Sequence, residues 1–189
     1  RDISNIEKTE MFALYSRINT LYMIAKAGSG HIGTSFSSMD VFSWMHLNVL
    51  TDEDLFFSSK GHDAPGLYAV LIGMGRLDYD YIHKLRRLNG LPGHPDVTTT
   101  PCMVTNTGSL GMGISKAKGL VRANRLDNKK GRVYVLTGDG ELQEGQFWES
   151  LSGAVNGKFG EITVIIDHNK IQSDTWVKDV SDLGNLEDK

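Results

Sequence analysis

The chain has 189 residues, of which 20 are lysine or arginine, 23 are aspartate or glutamate, and 40% are hydrophobic. This length is typical of one domain with a sizeable core, so we predict a single domain over residues 1–189. The formal net charge of −3 argues against nucleic-acid and anionic-membrane partners, which select basic proteins. No apolar run reaches the ~18–20 residues that span a bilayer. A lone cysteine, Cys102, leaves no internal disulfide, which is typical of the cytoplasm.

The first half of the chain is predicted to be mostly helical. Residues 6–27 form an amphipathic helix that starts at a capping box of Ser4 and Glu7 and stops at Gly28. Its helical apolar spacing consists of Met11, Leu14, Tyr15, Ile18, Leu21, Tyr22 and Ala25. Further helices are predicted over 38–50, 64–74, 78–90 and 109–126, with Val41, Phe42, Met45 and Val49 facing inward in the first of these. A buried strand is predicted over 55–58, and an ordered loop over 91–107.

The second half predicts a strand, a glycine turn, a helix and a second strand. The strands cover 132–137 and 161–167, and the helix covers 144–156. Strands that are nearly continuous in valine and isoleucine belong to a parallel sheet that helices cover on both faces. The predicted fold class is therefore α/β, with a parallel sheet sandwiched by helices.

Two oxygen-bearing residues follow the two strands of this unit. Asp139 stands at the end of the first strand, and Asn169 just past the end of the second, where parallel strands bring their carboxyl ends together. With the main-chain carbonyl of Ile171 they form a sparse set of hard oxygen ligands, which suits Mg²⁺, with Ca²⁺ or Mn²⁺ able to substitute. Gly138 and Gly140 let the backbone approach a bulky anion, and the following helix N-terminus favours a phosphate. An ordinary tight turn is the alternative interpretation.

These residues carry a family resemblance. One run of the sequence, together with Asn169 thirty residues after its aspartate, resembles the thiamine diphosphate signature of transketolases. The run is Gly138-Asp139-Gly140-Glu141-Leu142-Gln143-Glu144-Gly145-Gln146-Phe147-Trp148-Glu149. It is most similar to the N-terminal, diphosphate-binding subunit of split transketolases. Four more segments agree in order and spacing: Ser29-Gly30-His31, Ser59-Lys60-Gly61-His62, Pro92-Gly93-His94-Pro95, and Thr107-Gly108-Ser109-Leu110-Gly111-Met112-Gly113. The resemblance implies a thiamine diphosphate-binding fold and thiamine diphosphate with Mg²⁺ as cofactors.

Three of the six histidines follow a glycine, and they match the active-site histidines of transketolases. The resemblance implies that His62 lies near the cofactor diphosphate and thiazolium. It implies that His31 and His94 contact substrate hydroxyls and move protons, a task that suits neutral imidazoles. Taken singly, each is more simply interpreted as an ordinary loop histidine. His46 and His83 are interpreted as structural or surface residues, and His168 is left open.

The remaining implied site residues border the cofactor or the subunit interface. By resemblance, Gly108, Ser109 and Leu110 line the cofactor, and the Gly108 backbone meets the aminopyrimidine. The resemblance puts Glu144 at an interface that links two active sites, and Glu149 is assigned to the same interface. Without the resemblance, both glutamates are interpreted as solvated helix residues.

The predicted activity is transfer of a two-carbon ketol unit from a ketose phosphate to an aldose. Transketolases carry the activating glutamate in a pyrimidine-binding domain, which this sequence does not contain. We therefore expect a cytoplasmic transferase subunit that needs a C-terminal transketolase subunit, most simply as a dimer of heterodimers, or else a fragment of a longer transketolase. The alternatives are a non-catalytic assembly protein, a 1-deoxyxylulose-5-phosphate-synthase-like enzyme and the alpha chain of a 2-oxo acid dehydrogenase. The histidine segments argue against the last two.

Overall fold

The computed structural model describes residues 4–189 as two compact units. The first unit comprises residues 1–52 and 61–108, of which the first three lie outside the described range. The second comprises residues 53–60 and 109–189. Both units fall within the span predicted as a single domain, and that domain assignment stays a prediction.

The second unit contains the parallel sheet. Its strands are β1 (Leu55–Ser58), β2 (Val133–Gly138) and β3 (Ile162–Asp167), in the order β1-β2-β3. Both pairings are parallel, with Phe57 beside Val135 and Gly138 beside Asp167. The predicted strands and the α/β class are confirmed. Because β2 is central, its Val133, Val135 and Leu136 side chains are fully buried.

Helices and short elements complete the second unit. The helix α5 (Gly113–Leu126) packs on β2 and on α6 (Gly145–Asn156). A 3₁₀ turn, Gly140–Gln143, separates β2 from α6, and the helix predicted over 144–156 is confirmed. The two-residue strands β4 (Ile171–Gln172) and β5 (Thr175–Trp176) pair antiparallel, and the short helix α7 (Val177–Val180) follows them.

The first unit is helical. It consists of α1 (Asn5–Ala27), α2 (Ile32–Ser37), α3 (Met39–Trp44) and α4 (Ala64–Gly73). The capping box at Ser4 and Glu7 is confirmed, and Gly28 ends α1 with a left-handed φ of 72°. A π-helical turn, Met45–Val49, extends α3, so the predicted helix over 38–50 exists in two pieces.

Two sequence predictions about the first unit are wrong. The predicted helix over 78–90 is only a 3₁₀ turn, Tyr79–His83, because the chain then folds back so that Leu85 pairs with Leu91. The apolar stripe of α1 is also not its buried face. That face consists of Thr9, Ala13, Ser16, Thr20 and Met23. The exposed face carries Met11, Leu14, Tyr15, Ile18, Leu21 and Tyr22.

Small side chains let α1 approach its neighbours closely, and its longest packing surface is against α4. The helix α4 is buried along nearly its whole length, since every residue from Ala64 through Ile72 is buried. Among the described residues, no helix combines the length and the apolar character needed to cross a membrane.

Candidate active site

The carboxyl ends of the three parallel strands carry most of the buried polar side chains of the second unit. Ser59 and Lys60 follow β1, Asp139 follows β2, and Asp167 ends β3. The first three of these residues are at most 3% exposed. Because a parallel sheet collects the ends of its strands along one edge, these side chains meet there.

Asp139 and Asn169 come together as the sequence predicts. The register places Gly138 beside Asp167, and the backbone N–H of Lys170 donates to Asp139 Oδ2 at 2.6 Å. Asp139 Oδ1 accepts from the Gly140 N–H at 2.9 Å. The Asp139 carboxylate therefore links the loop after β3 to the turn after β2 through hydrogen bonds.

Both the nitrogen and the oxygen of the Asn169 side-chain amide form hydrogen bonds. Its Nδ2 donates to Asp167 Oδ2 at 3.3 Å, and its Oδ1 accepts from the Ile171 N–H at 2.9 Å. Lys60 Nζ donates to the same Asp167 oxygen at 2.7 Å. Such partners fix the orientation of a metal-ligating side chain.

The donor set fits a hard divalent cation. An oxygen of the Asp139 carboxylate and the Asn169 amide oxygen each accept a backbone hydrogen bond, and each such oxygen has two lone pairs. Among residues 4–189 no group of three histidine, cysteine, aspartate or glutamate side chains could hold a metal ion. A metal bound here thus depends on amide, main-chain, water and phosphate oxygens, the ligands that suit Mg²⁺.

The same edge opens into a cleft of about 440 Å³. Its lining includes Asp139, His168, Lys170, Trp176 and Lys178. Two lysines and a histidine beside the carboxylate make the lining mixed in charge. His168, which the sequence left open, lies on this cleft.

Glu141 was not singled out from the sequence, although its carboxyl accepts several hydrogen bonds within the second unit. It is 3% exposed and accepts hydrogen bonds from Ser59 Oγ and from the N–H groups of Gly111 (2.8 Å) and Gly138 (3.4 Å). Burial raises the pKa of the Glu141 carboxyl, and these hydrogen bonds oppose that rise. The side chain joins three of the segments that carry the family resemblance.

The three predicted histidines converge in the first unit. His31, just before α2, and His62, just before α4, form an edge-to-face pair with ring centroids 5.3 Å apart. Charge on His31 also acts on His94. His31 and His94 are exposed and His62 is half-buried, so a ligand can reach all three. Sequence alone could not show this convergence.

The surroundings of His94 favour its neutral form. Partial burial of the largely exposed ring lowers the pKa of its imidazole, the charges of Arg86 and His31 lower it further, and Asp63 opposes them. A neutral imidazole keeps a lone pair on one ring nitrogen, so His94 can accept a proton near pH 7.

Comparison with known proteins decides the family. The sequence model described as "Transketolase, thiamine diphosphate binding domain" matches residues 8–184. The chain belongs to the transketolase family. Its fold agrees, since the transketolase from Leishmania mexicana superposes with a TM-score of 0.80 at 30% identity, over 90% of this chain and 28% of that one.

Two curated relatives of this transketolase-family chain are named as transketolase subunits. The first is an apulose-4-phosphate transketolase subunit from Actinobacillus succinogenes, which is 35% identical over 178 residues, covering 89% of this chain and 64% of the relative. The second is a 6-deoxy-6-sulfo-D-fructose transketolase subunit from Clostridium sp., which is 34% identical over 180 residues, covering 90% and 66%. The chain therefore spans slightly less than two thirds of either relative's length.

The other predicted site residues occupy accessible positions. Ser109 and Leu110 are exposed and Gly108 is half-buried. Glu144, at the start of α6, and Glu149, within it, are both exposed. Their roles at the cofactor and the interface stay predictions. The functional candidates that sequence reasoning missed are Lys60, Asp167, Glu141 and Arg86. A charge at the end of an apolar strand was a sequence signal for the first two, and Lys60 also lies in a segment that carries the family resemblance.

Proposed function

We propose that the protein is the diphosphate-binding subunit of a cytoplasmic, thiamine diphosphate-dependent transketolase. It would transfer a two-carbon ketol unit from a ketose phosphate to an aldose. The observation that carries the proposal is the convergence of His31, His62 and His94 in a chain that the thiamine diphosphate domain of transketolases matches almost throughout. Relatives named as transketolase subunits support the same reaction type.

In this proposal the second unit holds the diphosphate through a divalent cation. Asp139, Asn169 and the main-chain carbonyl of Ile171 are the protein ligands of Mg²⁺, which neutralises phosphate charge. Gly138 and Gly140 keep the turn free of Cβ atoms where the diphosphate approaches. When bound, thiamine diphosphate supplies the thiazolium carbon that adds to the ketose carbonyl.

The histidines act on the sugar. The neutral His94 accepts a proton from a substrate hydroxyl, and His31 orients and relays protons at the same sugar. His62 is assigned to the diphosphate and thiazolium side. Gly108, Ser109 and Leu110 border the cofactor, which the family resemblance supports.

A partner chain completes the enzyme in this proposal. It is a C-terminal transketolase subunit that supplies the pyrimidine-binding domain, and two copies of each chain form the assembly. Relatives whose names describe them as one subunit of a transketolase support such a partner. Glu144 and Glu149 are exposed, as residues of an interface between subunits must be before assembly.

A mixing experiment tests the proposal. Binding of thiamine diphosphate is measured calorimetrically with Mg²⁺, with Ca²⁺ and with chelator, and ketol transfer is assayed for the chain alone and with pyrimidine-domain chains. We expect metal-dependent binding and activity only in the mixture. Activity of the chain alone would contradict the requirement for a partner. Cofactor binding without activity in any mixture would favour a role in assembly.

A further inference from the structure

Arg86 bridges two of the histidine loops of the first unit. Its Nη1 donates to Ser29 Oγ at 2.9 Å, and Ser29 lies two residues before His31. Its guanidinium also lies against Gly93, where a Cβ would come within 3.0 Å of both Nε and Nη2. Gly93 directly precedes His94. A side chain at position 93 would therefore press on the guanidinium, which would have to shift by a few tenths of an ångström.

The same close packing continues from His94 to the segment that carries His62. A Cβ on Gly108 would lie 2.9 Å from Cδ2 of the His94 ring. A Cβ on Gly61 would lie 2.6 Å from the Gly108 nitrogen. Both glycines have positive φ, of 132° and 71°. The His94 ring, the Gly108 backbone and the Gly61 backbone thus pack directly on one another, with no side chains between them. Because packing is this close, a displacement of one is transmitted to the next.

The backbone of Arg86 is itself constrained. Its φ is 54°, a left-handed conformation that is costly for a long side chain. The Arg86 N–H donates to the Leu91 carbonyl at 2.7 Å, which holds that conformation. This backbone conformation therefore directs the Arg86 side chain toward the loops that contain Ser29 and Gly93.

We propose that Arg86 is a positioning residue that sets the placement of His31 and His94 relative to each other. The planar guanidinium suits this role, because it donates to one loop at its edge while its body packs flat on the glycine of the other. A lysine would keep the positive charge but would lack the planar group with several donors in fixed directions. The catalytic consequence, though not the positioning itself, rests on the proposed function.

The charge of Arg86 provides the readout. The groups that act on His94 come from three segments: Arg86 from the turn before Leu91, His31 from the turn after α1, and Asp63 from the start of α4. Arg86 and His31 lower the pKa of His94, and Asp63 raises it. Removing Arg86 therefore raises that pKa toward the ordinary value.

The test is an NMR titration of the histidine ring protons in the wild-type protein and in Arg86→Met and Arg86→Lys. In Arg86→Met we expect the His94 pKa to rise, because one of the charges that lower it is removed. Arg86→Lys should keep the low pKa but alter the chemical shifts of both His31 and His94. Arg87→Met is the matched control, because Arg87 donates to the Lys26 carbonyl instead.

Kinetics with a partner chain give the second readout. Arg86→Met should lower kcat and should move the acidic limb of the pH–rate profile to higher pH, as the His94 pKa rises. Arg86→Lys should return this limb to its wild-type pH but should not restore kcat. An unchanged His94 titration in Arg86→Met, or a rise in the KM for sugar phosphate alone, would overturn the proposal. If Arg86→Met does not fold, Gly93→Ala replaces it, since the added methyl displaces the guanidinium. Absence of ketol transfer by the wild type would contradict the proposed function and leave the titration interpretable.

Discussion

Lys60 Nζ and Asp167 Oδ2 form an ion pair of 2.7 Å between the ends of β1 and β3. The side chains are only 4% and 10% exposed. The pair therefore spans the end of β2 between them, and a Cβ on Gly138 would lie 3.2 Å from Lys60 Cδ. Charge that is buried in this way stabilises the fold only while both partners are present.

Asp167→Ala should lower the free energy of unfolding by about 3–5 kcal/mol, because it leaves the Lys60 ammonium buried without its carboxylate. Urea denaturation of the protein without ligands measures the change. The matched control is Glu161→Gln, which removes an ion pair with Arg125 whose side chains are 43% and 33% exposed. That exposed pair should contribute little to the free energy of unfolding. Equal losses in the two variants would contradict the burial argument.

Asp139→Ala should abolish metal-dependent binding of thiamine diphosphate. It removes the proposed oxygen ligand of the metal and also the acceptor of the Lys170 and Gly140 N–H groups. The shift in melting temperature on adding Mg²⁺ and thiamine diphosphate measures binding without an activity assay. Asp127→Ala, at an exposed pair with Lys129, serves as the control and should retain the shift. A ligand-induced shift of wild-type size in Asp139→Ala would show the metal assignment to be wrong.

Glu141→Leu should destabilise the second unit, since it leaves the donors of Ser59, Gly111 and Gly138 without their buried acceptor. Each unsatisfied buried donor costs about 1–3 kcal/mol. Glu141→Gln keeps one amide oxygen and should cost less. Chemical denaturation of both variants at neutral pH provides the comparison. A glutamine variant as unstable as the leucine variant would indicate that volume rather than hydrogen bonding matters at this position.

We expect the stability of the protein to depend on pH because of the buried side chain of His46. Burial, aided by the charge of Arg76, lowers the pKa of its imidazole from 6.5 to about 4. The unfolded chain therefore binds a proton more readily than the folded chain, and stability is lost as pH falls from about 6.5 to 4. The loss should reach about 3 kcal/mol. Other acids titrate in this range in any variant, so the difference between wild type and His46→Met isolates the effect. Parallel stability curves for the two proteins would contradict it.

The strand-turn-helix-strand unit could be predicted because its signals are local and mutually consistent. Runs of valine and isoleucine are interrupted by glycine, and the parallel register then brings Asp139 toward Asn169. The three histidines could be identified because each follows a glycine in a segment that the family resemblance covers. Their contact could not be predicted, because it depends on how separate turns of the first unit pack.

The errors in the first unit have physical causes. Periodicity identifies α1 as a helix but does not say which stripe faces the core. Here close approach to α4 selects the face of Ala13 and Ser16, and leaves Leu14 and Ile18 exposed. The predicted helix over 78–90 fails because Leu85 and Leu91 pair with each other. A tertiary pairing of this kind overrides helix propensity.

The contact between Arg86 and Gly93 has an evolutionary consequence. Gly61 and Gly108 are restricted by positive φ as well as by space, so they tolerate no side chain whatever their neighbours are. Gly93 is restricted by the guanidinium of Arg86, and its φ lies outside the left-handed range. Relatives with a short side chain at position 86 have room for alanine at 93, whereas in relatives with arginine the guanidinium would have to give way. The two positions should therefore covary across the family, while 61 and 108 remain glycine.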